Sequence, residues 1–144
     1  MVPFYALIAA FLLFRVLGLA GLSYFDGWHT SLQAAVAVML LLTASAHWGK
    51  MRPDLIRMVP PVFPNPGFLV SVTGWLEIAG AIGLLIPATS KAASICLAVM
   101  LIAMFPANIR AAKEKLTIGG RPVPRLVPRI VLQIVFLAAV LSAG

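Results

Sequence analysis

Acidic side chains are scarce in this sequence. Asp and Glu together number 4 in 144 residues, and all charged residues amount to 10%, against about 25% in ordinary soluble domains. Cysteine occurs once, as Cys96, so the chain has no disulfide of its own and no CxxC pair for redox or zinc chemistry; Cys96 reads as a small packing residue. The two histidines, His29 and His47, bracket one apolar run. They therefore lie on opposite sides of that run and cannot share an ion or a haem within one chain. A metal site wants three or four ligands, and none is expected. The chain also lacks a Gly-rich phosphate loop and a G-x-S-x-G elbow, which removes nucleotide-binding and serine-hydrolase readings.

Hydrophobic residues fill the gap, at 62%. A single domain of this length has too little interior to hide so much apolar surface from water. Its natural solvent is a lipid bilayer, and lipid demands helices because it offers no partners to free backbone groups. The formal charge of +7 would suggest nucleic acid only if it formed a basic face on a soluble fold. Here it sits in the connections between apolar runs, so nucleic acid is not an expected partner.

Crossing about 30 Å of hydrocarbon takes about 20 residues. Five runs qualify as transmembrane helices: 3–24, 28–47, 67–87, 90–108 and 126–143. The first has no basic region ahead of it and holds Arg15, so it reads as a retained span rather than a cleaved signal peptide. Asp26 and Gly27 supply a tight turn, Pro87 ends the third span, and Thr89 or Ser90 offers the next N-cap. Short connections make these neighbours antiparallel. Two longer connections remain, 48–66 and 109–125. In the first, Pro53 suits the start of a short interfacial helix with Arg52 and Arg57 facing headgroups, and a Pro-rich loop without helix is the alternative. In the second, Gly119 and Gly120 read as a turn. Nearly all Lys and Arg fall on the side holding these two connections and the N-terminus. Lys/Arg-rich short loops stay cytoplasmic, so the expected orientation is N-terminus in, C-terminus out.

Polar groups at membrane depth are the candidate site, since each is costly there and faces the bundle interior. Glu77 lies about 15 Å into its span and Arg15 about 18 Å from the same side, depths compatible with an ion pair. The rival is a Glu77 kept protonated in an apolar pocket. Thr73, Glu77, Gly80 and Leu84 share one helical stripe flanked by Gly74 and Ala81; small residues there either let a helix approach or leave room for a ligand. His47 ends the second span, Asn108 ends the fourth where Pro106 loosens the last turn, and Gln133 lies about 10 Å into the fifth. With Thr73 and Arg15 these residues could line a cavity ending near Glu77. Each also has a structural reading: His47 as an interfacial residue, Asn108 as a cap, Gln133 as a bond between helices.

The phrases "DLIRMVPPVFPNP", "TGWLEIAGAIGLLIPAT", "MFPANIRAA", "TIGGRP" and "LQIVFLAAVL", in this order, resemble the DoxX family of bacterial integral membrane proteins over residues 31–143. The resemblance implies an all-α membrane bundle with a four-helix core, preceded here by one extra span, in the bacterial plasma membrane. It also implies a link to membrane systems handling quinones, thiols or oxidative stress, and its motif positions fall on Thr73, Glu77, Pro106 and Asn108.

Three functions follow as expectations. The chain is a small subunit of a membrane redox system, able to hold a quinone near Glu77, with its basic loops docking a redox partner or anionic lipid. Alternatively it is an enzyme or carrier for a small lipophilic molecule, with Glu77 as acid or base. Alternatively it is an assembly helper without a ligand. Association with further copies of itself is left open.

Overall fold

A computed structural model describes residues 2–144. Six helices carry the fold: α1 (Val2–Leu19), α2 (Trp28–Ser45), α3 (Arg52–Met58), α4 (Pro66–Leu85), α5 (Ser90–Lys113) and α6 (Leu126–Ala143). Five of them, all but α3, are long and apolar enough to cross a membrane. A two-residue hairpin, β1 (Thr117–Ile118) with β2 (Arg121–Pro122), turns at Gly119 and Gly120, whose φ angles of 60° and 79° suit glycine at both positions of a tight hairpin turn.

Helices α2, α4, α5 and α6 pack pairwise around a closed ring, and α1 lies outside it along α2. Half of α2 is buried against 17% of α1. The sequence of α2 explains its central place: Ala34, Ala35, Ala37 and Ala44 are all buried and let three other helices approach. The ring is pinned by polar side chains reaching across to backbone carbonyls. Gln33 donates to Ala143 at 2.8 Å, Ser94 to Val140 at 2.7 Å and Gln133 to Leu101 at 2.8 Å. Each bond removes an unpaired polar group from an apolar interior.

Three expectations need correction. The first helix ends at Leu19 rather than 24, so Arg15 sits one turn from its end. The fourth span continues through Pro106 to Lys113; proline forfeits only its own N–H, and the helix resumes beyond it. Asn108 is therefore inside a helix and caps nothing. Finally, α3 forms as the sequence allowed, but Arg52 turns inward. Its guanidinium donates to the carbonyls of His47 (2.7 Å) and Gly67 (2.9 Å) and to Ser71 Oγ (2.9 Å). One side chain thus ties the end of α2 to the start of α4. Arg52→Met removes three charge-assisted bonds, and we expect it to destabilise the protein by about 1.5–3 kcal/mol, read by thermal denaturation in mild detergent. Arg57→Met, which loses only an exposed pair with Asp54, should change stability by less than about 1 kcal/mol.

Candidate functional site

Glu77 is 5% exposed and faces α2. Its Oε2 accepts from Thr43 Oγ1 at 2.9 Å, and its Oε1 lies 3.5 Å from His47 Nε2. On its other side the His47 ring meets the Val70 carbonyl, with Nδ1 at 2.7 Å. A carbonyl only accepts, so Nδ1 carries a hydrogen. Nε2 and the Glu77 carboxyl face each other across the remaining gap, and a hydrogen bond between them takes an N–H on Nε2 or an O–H on the carboxyl. Thr73 Oγ1, 3.3 Å from His47 Nδ1, sends its own proton to the carbonyl of Leu69 or Val70, each at 3.0 Å.

The proposed ion pair between Arg15 and Glu77 does not form. Arg15 donates to the Asp26 carbonyl at 2.7 Å and the Phe25 carbonyl at 3.4 Å, beyond the opposite end of α1. A long cation near a helix end reaches the free carbonyls there more readily than a carboxylate at mid-depth. The small residues beside Glu77 serve close packing. A side chain at Gly74 would meet the Trp48 ring at 2.7 Å and His47 Cβ at 2.9 Å, so this glycine lets the turn after α2 lie on α4.

The six candidates do not share one cavity. A groove of about 580 Å³ runs between α3, α4 and α5, and of the six only Thr73 and Asn108 line it. Its floor is Val70 and Met100, its α5 wall includes Ile95, Val99 and Ala103, and Met58, Val59, Pro60 and Phe63 form a roof. Ile95 and Asn108 are about 20 Å apart along α5 at 1.5 Å per residue, so the groove is long and narrow. Leu76, Ile95 and Val99 are about half exposed along its rim, which opens it sideways on the outside of the bundle. Cys96, expected as a packing residue, is exposed on this wall. Arg110 fastens the roof by donating to the Val59 carbonyl. His47 and Glu77 stand behind Val70 and Thr73, and Gln133 is taken up between α5 and α6.

Two groups escaped the sequence reading. Thr43 is one turn before His47, and that four-residue spacing marks a shared helix face. Arg129, in the first turn of α6, donates from Nη2 to Asn108 Oδ1 at 2.8 Å, and nothing in the local sequence pairs these two. No group of three or more His, Cys, Asp and Glu side chains that could hold a metal occurs among the described residues.

No curated protein and no solved structure matches the chain. The model of one family does match, over residues 36–143, which runs from the middle of α2 to the end of α6 and leaves α1 outside. The chain belongs to that family, described as a domain of unknown function (DUF8561).

Proposed function

We propose that the protein is a small DoxX-like subunit of a bacterial plasma membrane that holds a single-chain lipophilic molecule, such as a quinone, in the groove between α3, α4 and α5. The groove carries this reading. Its volume falls within the range of ligand pockets, about 300–1,000 Å³. Its walls are apolar for about 20 Å, its only lining side chains with oxygen or nitrogen are Thr73 and Asn108, and its side opening would admit a chain from the bilayer. Acid–base chemistry by Glu77 on the bound molecule is the weaker reading, because the carboxyl faces Thr43 and His47 on the α2 side. The basic connections 48–66 and 109–125 serve a redox partner on the cytoplasmic side. Neutralising Arg121 and Arg125 together should release a co-purifying partner if docking is their role; unchanged association would assign them to anionic lipid.

The test fills the groove. Ala103 lines it and Ile102, 60% exposed, does not. Protein purified in mild detergent is extracted and its bound lipophilic molecules are quantified by mass spectrometry. Ala103→Trp should reduce the bound amount at least several-fold, and Ile102→Trp should leave it unchanged. Equal content in both variants would remove the groove as the binding site.

A further inference from the structure

Asn108 lies at one end of the groove and is the one lining side chain whose amide has donors to spare. A guanidinium can only donate, so the amide atom facing Arg129 is Oδ1. That fixes the amide's orientation and leaves both Nδ2 hydrogens directed elsewhere, with no protein acceptor among the described residues. Thr73, the other polar lining group, has committed its proton to backbone carbonyls. Arg129 pairs with no carboxylate among the described residues. Its Nε is buried without a partner. The end of the groove is therefore a donor polarised by an uncompensated positive charge.

We infer that Asn108 recognises the head of the bound molecule by donating from Nδ2 to an oxygen that only accepts, a carbonyl above all, with Arg129 as the positioning residue that holds the amide in this sense. This rests on the groove being the binding site and adds the ligand's chemistry: a single-chain amphiphile with an accepting oxygen at the level of Asn108 and its chain running toward Ile95. A head with no acceptor gains nothing there, and it leaves the donor unpaired in an apolar setting, which is costly.

Two probes separate the inference from the reading beneath it. One is 2-decyl-1,4-benzoquinone, which carries carbonyl acceptors; the other is decylbenzene, which has the same chain and no oxygen. Binding to the full chain in detergent is measured by native mass spectrometry, and the carbonyl stretch of the bound quinone by infrared difference spectroscopy. The quinone should bind about tenfold tighter than decylbenzene, the effect of about one good hydrogen bond, with its carbonyl stretch shifted to lower frequency. Asn108→Asp keeps a partner for Arg129 but presents oxygen in place of N–H. It should abolish both the preference and the shift while leaving decylbenzene binding near that of the parent and thermal stability no lower, because the introduced carboxylate accepts from Arg129. Arg129→Met should weaken the quinone preference and broaden the carbonyl band, because the amide is free to turn. If the parent binds both probes equally, or if Asn108→Asp retains the preference and the shift, the inference is wrong even though the groove binds. If Ala103→Trp displaces neither probe, the groove reading itself fails.

Discussion

Glu77→Leu should destabilise the protein by about 1–3 kcal/mol, the cost of a buried polar group stripped of its partner, while Glu77→Gln should cost less than about 1 kcal/mol. The difference follows from what each leaves behind. In Glu77→Leu, Thr43 still reaches the Leu40 carbonyl at 3.0 Å, so its hydroxyl stays satisfied. His47 has no such alternative. Its Nδ1 remains on Val70, but Nε2 faces apolar side chains in a residue only 5% exposed. Glutamine restores both contacts, with an oxygen for Thr43 and an N–H for a neutral imidazole Nε2. A buried polar pair is often replaceable as a unit, because two compensated desolvation costs disappear together. His47→Leu with Glu77→Leu should therefore recover most of the loss caused by Glu77→Leu alone. Unfolding in mixed micelles measures all three. If Glu77→Gln proves as harmful as Glu77→Leu, the carboxylate itself matters and hydrogen bonding alone does not account for the junction. If the double variant loses as much as His47→Leu and Glu77→Leu added together, His47 and Glu77 act independently.

This behaviour bears on what the pair is for. The carboxyl, the imidazole and two threonines lie where α2, the turn after it and α4 meet, and Arg52 closes the same junction from outside. The junction fixes Val70 and Thr73, which form part of the groove. For a ligand bound in the groove as proposed, Glu77 would act at one remove, by setting the wall against which it lies. Loss of bound amphiphile in Glu77→Leu should accompany loss of stability, whereas in Asn108→Asp binding changes while stability holds.

The helices were legible because hydrophobic run length is a one-dimensional property, and it placed α2, α4 and α6 within two residues of their observed bounds. Depth was legible only as far as helix ends were. A run counted from Pro3 to residue 24 puts Arg15 near mid-membrane; with α1 stopping at Leu19, the same residue belongs to the far end. Glu77 stood out as the lone acid in an apolar run, but its partners come from 30 and 34 residues away and required knowing that α2 and α4 are neighbours. The groove was not legible at all. It depends on the segment after α3 folding down over α5, fastened by Arg110 across 51 residues to a backbone carbonyl, and backbone carbonyls carry no sequence signature. The same holds for Asn108, whose orientation comes from Arg129 on the next helix.

Gly80→Val should be the most damaging small change in the α4–α5 interface. A Cβ at position 80 would lie 2.7 Å from Leu97 Cγ and 2.8 Å from its Cδ1, and Leu97 is 2% exposed. A residue so enclosed has nowhere to swing, so the helices must separate. Overpacking of this kind costs about 1–3 kcal/mol. Gly80→Ala should cost less than Gly80→Val, because removing a mid-helix glycine returns about 1 kcal/mol of helix propensity, whereas a branched side chain adds bulk against the same neighbour. Leu97→Ala supplies the missing space. The Gly80→Ala, Leu97→Ala double variant should therefore be more stable than the sum of the single effects predicts, by about 1 kcal/mol or more. Strict additivity would mean that α4 and α5 do not meet at this point. The contact also bears on binding. Leu76, one turn before Gly80, and Met100, one turn after Leu97, both line the groove, so moving the helices apart here alters its width without touching Asn108. Gly80→Val should thus lower the bound amphiphile while any remaining bound quinone keeps its shifted carbonyl stretch, which Asn108→Asp removes. That contrast separates the shape of the groove from the chemistry at its end.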